Sequence, residues 1–193
     1  MPSLMPSALR RYLPRYLPFV PSVLTGVLGA AWLFYRPADL GARADTLTLA
    51  LTAAALTVGL LGGAWLLERT LPSFRYASGL LERALNRFRP STLEALAFAL
   101  LTAGAEELFF RGALQSLVGV WGQALVFGLL HPVPRRGWSY TVYTGVSGLA
   151  FGYALIWTGS LWPGLVAHFL INFQGLLELR GKHGTDRQDA GGV

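Results

Sequence analysis

The stretch that decides the fold is Ala103-Gly-Ala-Glu-Glu-Leu-Phe-Phe-Arg-Gly112, which places three charged side chains in a region otherwise suited to lipid. Glu106, Glu107 and Arg111 follow the run 93–105, in which only three residues are not plainly apolar. A charge near the centre of a bilayer costs roughly 2.5 to 3.5 kcal/mol on insertion scales, so three together indicate a functional site. The alternative is a charged cluster in headgroup water at the end of a span.

Helical geometry separates these three residues by role. Glu107 and Arg111 are four residues apart with the acid first, which is the favourable order for an ion pair on one helix face. Glu106 points about 100° away from Glu107 and has no partner of this kind on its own helix. We therefore predict that Glu107 and Arg111 support the site structurally, and that Glu106 is the free carboxylate.

The composition is that of a membrane protein. Of the 193 residues, 53% are hydrophobic and only 13% are charged, against about 25% charged in soluble proteins. The chain has no cysteine, which excludes disulfides, thiolate nucleophiles and cysteine-bound metals. A net charge of +6 could suggest a nucleic-acid partner, but the basic residues are sorted by loop, so we expect none.

The apolar runs predict an all-α, polytopic transmembrane bundle of about six spans with the catalytic core in the last four. We expect a retained first span rather than a cleaved signal peptide, because no small-residue cleavage site is evident. The predicted segments are a basic N-terminus (1–16), two accessory transmembrane helices (17–67), an amphipathic interfacial connector (68–90), the four-helix core (91–179) and a disordered tail (180–193).

The distribution of basic residues predicts the topology. Thirteen of the 16 Lys and Arg residues fall in segments that six crossings would place on the side of the N-terminus, against two on the opposite side, Arg36 and Arg43. The positive-inside rule then puts both termini in the cytoplasm. We expect an integral protein of a prokaryotic plasma membrane.

Three more polar groups lie in the apolar runs. His131 ends the predicted fourth span, and His168 and Asn172 are four residues apart on one face of the sixth. With Glu106 they supply a general base, a second acid/base group and donors for an oxyanion, an inventory suited to peptide-bond hydrolysis. Each group alone has a structural explanation, such as an interhelical hydrogen bond.

The order of these motifs resembles a known family. Glu106-Glu107-x-x-x-Arg111, Phe127-x-x-x-His131 and His168-x-x-x-Asn172 are similar to the three-motif signature of the CAAX protease and bacteriocin-processing (CPBP, or Abi) intramembrane endopeptidases. The resemblance covers roughly residues 91–175. It implies an intramembrane glutamate-type endopeptidase that is similar to the prenyl-protein CAAX endopeptidases.

The resemblance also implies residue roles. Glu106 would activate the attacking water with help from His131, and His168 and Asn172 would stabilise the tetrahedral oxyanion. The substrate would be a membrane-tethered protein or peptide in the lipid bilayer, and no cofactor is expected. In a prokaryote we do not expect a prenylated CAAX substrate. Substitution of Glu107 or Arg111 by alanine is expected to lower yield or stability.

Three other functions compete with this hypothesis. The chain could be a non-catalytic membrane scaffold or an immunity-type binding protein. Glu106, His131 and His168 could instead bind zinc, although no His-Glu-x-x-His is present. Gly145-Val-Ser147-Gly148 resembles the serine motif of rhomboid proteases, with His168 as a base, but the His-x-x-x-Asn follows the serine rather than preceding it.

One difficulty follows from the predicted boundaries. Glu106 lies about 22 Å along its helix from Ser91, whereas His131 would sit at the opposite, inner end of the next span. Strong tilt, a break near Gly104 or a misplaced boundary could bring them together.

Overall fold

The computed structural model describes residues 16–37, 43–85, 90–131 and 133–189. For Pro18 and residues 179–189 it describes the backbone only. Several residues of the sequence predictions lie outside the described residues, namely the basic N-terminus up to Arg15, Arg87, Arg89 and the last four residues of the predicted tail.

The described residues form helices joined by short turns and contain no strand, which confirms the predicted all-α fold. The helices are α1 Val20–Tyr35, α2 Thr46–Thr70, α3 Pro72–Leu85, α4 Thr92–Glu107, a π-helical segment Leu108–Leu114, α5 Gln115–Leu129, α6 Trp138–Thr158 and α7 Trp162–Asp189.

Helix α2 is the one helix among the described residues that is long and apolar enough, by length and composition, to cross a membrane. Helix α1 is also apolar but has only 16 residues. Helices α4 and α5 have only 16 and 15 residues, and serine, threonine and tyrosine side chains lower the mean hydropathy of α6. The count of six crossings stays a prediction.

Helix α4 begins with a capping box formed by Ser91 and Glu94. The Ser91 hydroxyl accepts a hydrogen bond from the Glu94 backbone N–H at 3.2 Å, and the Glu94 carboxylate accepts one from the Ser91 N–H at 2.8 Å. The two bonds satisfy backbone donors that a helix start leaves unpaired. They fix the residue at which the helix carrying Glu106 begins.

A sharp bend at Gly119 places His131 beside Glu106. Its backbone angles, φ 73° and ψ 175°, interrupt α5 in a region that is open almost only to glycine. Gly119 lies 13 residues after Glu106 and 12 before His131, so two helical arms of about 18–20 Å bring both residues back to one level. The apolar runs of the sequence predict that the third span ends at Val120, close to this bend. The helix after the bend is too short for His131 to reach the opposite end of the bundle.

The remaining helices pack around this hairpin. Helices α5 and α6 form the most extensive contact, α7 packs against α4 and α2, and α1 packs against α4 and the π-helical segment. Most residues of α4 and α6 that are buried are small or polar, so the helices approach closely. The bundle interior is therefore polar at the level of Glu106.

Helix α7 is longer than predicted. Its backbone remains helical to Asp189, whereas the sequence analysis placed the end at Leu179 and a disordered tail after it. No proline follows Pro163 to stop the helix, and the polar residues after Leu179 are compatible with continued helix.

Candidate active site

The predicted ion pair between Glu107 and Arg111 is present. Arg111 Nη1 donates to Glu107 Oε1 at 2.9 Å, and both side chains are at most 2% exposed. A buried pair of this kind needs further hydrogen bonds and contacts to offset the loss of hydration of both charges.

Arg111 obtains these contacts from aromatic rings and a backbone carbonyl. Its guanidinium carbon lies 4.5 Å from the ring centre of Phe127 and 4.9 Å from that of Phe151. A further, longer hydrogen bond of 3.4 Å runs from Nη2 to the carbonyl of Gly148 on α6. The cation is thus held by ring faces and dipoles rather than by water. Arg111, Glu107, Phe127 and Phe151 are called the arginine cluster below.

Glu107 also contacts His168, which the sequence did not predict. His168 Nδ1 lies 3.0 Å from Glu107 Oε1, and the ring stacks on Phe151 with centroids 5.3 Å apart. A carboxylate paired with arginine can only accept, so His168 carries its proton on Nδ1. This leaves Nε2 directed at Glu106, 3.8 Å from its Oε2.

His131 presents the same ring nitrogen to Glu106 from the other side. Its Nδ1 donates to the carbonyl oxygen of Phe127 at 2.7 Å, because a carbonyl cannot donate. Nε2 then lies 3.9 Å from Glu106 Oε2. The two imidazoles, one just after α5 and one in α7, therefore both face the same carboxylate oxygen of Glu106.

Glu106 itself is held through Oε1, the oxygen that does not face the histidines. Ser22 of α1 donates to Glu106 Oε1 at 2.8 Å, whereas Oε2 is buried and has no hydrogen-bond partner. The side chain is 13% exposed. As predicted, Glu106 forms no ion pair with Arg111, and its free oxygen is the one that faces both histidines.

Asn172 lies one helical turn after His168 and completes the set. One of its amide hydrogens is donated to Thr102 Oγ1 at 3.0 Å, and Thr102 donates in turn to the carbonyl of Phe98. The second amide hydrogen of Asn172 is left for another acceptor. Thr102 and Ser22 are two contacts that the sequence analysis missed.

A cavity of about 530 Å³ reaches this group. Its wall includes Glu106, His131, Asn172, Thr102 and Ser22, which are called the cavity cluster below. The cavity continues to the end of the bundle where α3 lies, past Glu82 and Glu178. Two other cavities, of about 560 and 590 Å³, are apolar grooves along α2 and contain none of these groups.

The four predicted site residues are therefore brought together. Their predicted roles stay predictions, because proximity alone does not show catalysis. Ser147, the alternative nucleophile, donates to the carbonyl of Tyr143 at 2.9 Å within its own helix. Among the described residues no three His, Asp or Glu side chains are arranged as a metal site.

Comparison with known proteins gives two matches. Residues 88–174, just under half of the chain, match the family model "Type II CAAX prenyl endopeptidase Rce1-like". The chain is also 31% identical over 113 residues to the "Uncharacterized protein YpbD" of Bacillus subtilis (strain 168). That match covers 58% of this chain and 59% of YpbD, so the chain spans about three fifths of this relative's length. No solved structure matches the chain.

The matched segment contains every residue of the three motifs, from Glu106 to Asn172. It begins just before α4 and ends within α7, so α1, α2 and α3 lie outside it. The Rce1-like family is a family of membrane-embedded proteases. The resemblance predicted from the motifs is thus confirmed, since residues 88–174 of this chain match the Rce1-like family model of type II CAAX prenyl endopeptidases.

Proposed function

We propose that this protein is an intramembrane endopeptidase that hydrolyses a peptide bond in a membrane-associated or lipidated protein, with Glu106 as the general base. The proposal rests on one observation above all. Glu106 Oε2 has no hydrogen-bond partner and faces the Nε2 atoms of His131 and His168 at 3.9 and 3.8 Å, at the wall of a cavity.

These distances suit a reaction that uses water. They exceed a direct hydrogen bond, yet one water can contact the carboxylate oxygen and a ring nitrogen at about 2.8 Å each. A water held in this way can attack a substrate carbonyl carbon while Glu106 removes its proton, with His131 as the second acid/base group. The proton then passes to the departing amine when the C–N bond breaks.

The oxyanion of the tetrahedral intermediate requires donors close to the same point. Asn172 has an amide hydrogen that Thr102 does not occupy, and it lines the cavity with Glu106. His168, one turn away, donates through Nε2 when that nitrogen is also protonated. Preorganised donors in a site shielded from water are worth several kcal/mol in the transition state.

The cavity suggests how substrate arrives. It opens near α3, an amphipathic helix of the kind that lies on a membrane surface. The described basic residues Arg69, Arg75, Arg83, Arg135 and Arg136 belong to this end of the bundle, and Arg36 and Arg43 to the other. We infer that this end is cytoplasmic, and that the substrate is tethered to the cytoplasmic leaflet of a prokaryotic plasma membrane.

We propose that the reaction needs no metal or other cofactor. An unpaired carboxylate oxygen with two imidazoles suffices for general-base catalysis. Zinc bound by Glu106, His131 and His168 is the competing hypothesis, and it predicts that a chelator abolishes turnover and that added Zn²⁺ restores it.

The test is hydrolysis of quenched-fluorescent lipidated peptides by the purified protein in liposomes. Glu106→Gln keeps the shape and the bond to Ser22 but removes the base, so kcat should fall about 10²- to 10⁴-fold. Glu68→Gln, which changes another carboxylate that lines the same cavity, is the matched control and should retain full kcat. Wild-type turnover in the Glu106→Gln protein would overturn the proposal.

A non-catalytic scaffold or immunity-type binder predicts a different result. The wild-type protein would bind membrane peptides without cleaving them, and Glu106→Gln would leave binding intact. Glu106→Gln would also raise the thermal stability of the protein, because it removes the charge of a carboxylate whose buried Oε2 has no hydrogen-bond partner.

A further inference from the structure

Helix α1 lies outside the Rce1-like segment, yet it supplies the hydrogen bond that Glu106 receives. Ser22 Oγ donates to Glu106 Oε1 at 2.8 Å across 84 residues of sequence. The two carboxylate oxygens of Glu106 are therefore unequal, since Oε1 is fixed by α1 and Oε2 faces the histidines.

Helix α1 is held against α4 and the π-helical segment by glycines on the face that carries Ser22. A Cβ atom added to Gly26 would lie 2.8 Å from Ala105 Cβ, and one added to Gly29 would lie 2.8 Å from the backbone nitrogen of Phe109. Ser22, Gly26 and Gly29 follow at i, i+4 and i+7, so they share one helix face. No larger residue fits there unless α1 moves away from Glu106.

We propose that Ser22 is a positioning residue for Glu106, and that α1 is a required part of this protein's site rather than an accessory span. The inference rests on the proposed function. Without the Ser22 bond, the Glu106 side chain is free to rotate, and its base oxygen leaves the position between the two imidazoles. A hydrogen bond to a charged group of this kind corresponds to about 10- to 100-fold in rate.

The test compares Ser22→Ala with Ser22→Thr. Ser22→Ala should lower kcat about 10- to 100-fold and leave KM unchanged, whereas Ser22→Thr keeps the hydroxyl and should restore most of kcat. Ser22 also lines the cavity, so a rise in KM with unchanged kcat would show that it binds substrate and would overturn the inference.

Thr25→Ala is the matched control. Thr25 is a hydroxyl residue one turn further along α1, and it donates to the carbonyl of Ser22 within that helix. It should retain wild-type kcat. If Thr25→Ala loses as much kcat as Ser22→Ala, the effect comes from the helix and not from the bond to Glu106, which overturns the inference.

Failure of this inference and failure of the proposed function give different results. If wild type turns over and Glu106→Gln does not, but Ser22→Ala has wild-type kcat, only the role of Ser22 is wrong. If Glu106→Gln and wild type behave alike, the proposed function is wrong and the inference is overturned with it.

Docking of α1 can be tested without an activity assay, because the chain has no cysteine. Gly26→Cys with Ala105→Cys should form a disulfide in membranes, because a Cβ at Gly26 would lie 2.8 Å from Ala105 Cβ and a displacement of α1 by about 1 Å reaches the 3.5–4.5 Å that a disulfide needs. Alkylation before and after reduction, read by mass spectrometry, measures the bond. Gly62→Cys with Ala105→Cys is the control, because Gly62 has no neighbour within 4 Å. Equal reaction of the two pairs would overturn the docked arrangement.

Discussion

Glu106 and Glu107 are adjacent in sequence but belong to opposite kinds of environment. In the arginine cluster, the carboxylate of Glu107 is 2% exposed and bonds both Arg111 and His168. In the cavity cluster, the carboxylate of Glu106 is 13% exposed and leaves one oxygen without a hydrogen bond. Oε2 of Glu107 also lacks a hydrogen bond, but Glu107 is paired with the Arg111 cation, whereas Oε2 of Glu106 faces two imidazoles beside the cavity. This difference supports the proposal that Glu107 stabilises the structure and Glu106 performs the chemistry.

His168 connects the two clusters. Its Nδ1 is bonded to Glu107 and its Nε2 faces Glu106. The arginine cluster therefore fixes the orientation of the ring towards the cavity cluster. In metal sites and catalytic triads alike, the partner of one imidazole nitrogen fixes the orientation of the other. Besides the ion pair with Arg111 that its i, i+4 spacing predicted, Glu107 therefore also orients the His168 ring.

The largest expected effect of breaking the arginine cluster is on stability. Arg111→Met leaves the Glu107 carboxylate buried without its cation, which should cost about 3–5 kcal/mol in free energy of unfolding. Reversible denaturation in mixed micelles measures it. Arg136→Met is the control, because Arg136 is exposed and lies 5.6 Å from the Tyr76 ring, an arrangement worth about 0.5–1 kcal/mol.

The double variant Glu107→Leu/Arg111→Met sharpens the same comparison. Removal of both charges leaves no unpaired ion, so it should recover much of the stability lost in Arg111→Met. It should nevertheless remain poorly active, because His168 has lost the partner of its Nδ1. A single Arg111→Met protein as stable as wild type would show that the cluster does not support the fold.

The arginine cluster could be predicted from sequence only in part. The pairing of Glu107 with Arg111 is local, since helical geometry alone brings residues four apart together. The bond from Glu107 to His168 and the stacking on Phe151 depend on how α4, α6 and α7 pack. Nothing in the local sequence encodes the relative register of three helices, so those contacts were missed.

The cavity cluster shows the same limit. The four residues Glu106, His131, His168 and Asn172 were recognised because they are polar groups in apolar runs, in an order similar to that of a known family. The sequence predicted a boundary between two spans at Val120, next to the bend at Gly119, but not that the bend would place His131 level with Glu106, because local sequence does not show how deep in the bundle a helix turns back. Ser22 carried no signal, since a serine in a span usually bonds its own helix.

A smaller effect is expected from Gly119→Ala, which acts on the bend that brings His131 to Glu106. Alanine strains backbone angles near φ 73° and ψ 175° by about 1–3 kcal/mol, so stability and kcat should both fall. Gly62→Ala is the control, because Gly62 lies inside α2 with no neighbour within 4 Å and should be neutral or slightly stabilising. Equal stability of the two variants would show that the bend at Gly119 is not required.

The smallest effect is expected from Ser147→Ala, which separates the cavity cluster from the rhomboid-like alternative. Ser147 is 6% exposed and donates to the carbonyl of Tyr143, while both ring nitrogens of His168 face glutamates. Loss of such a hydroxyl should leave kcat/KM within about threefold of wild type, whereas loss of a true serine nucleophile costs several orders of magnitude. Ser147→Ala is measured on the same peptide as Glu106→Gln. If Ser147→Ala loses several orders of magnitude in kcat/KM, Ser147 rather than Glu106 is the catalytic group. Unchanged turnover would leave Glu106, and not Ser147, as the proposed catalytic group.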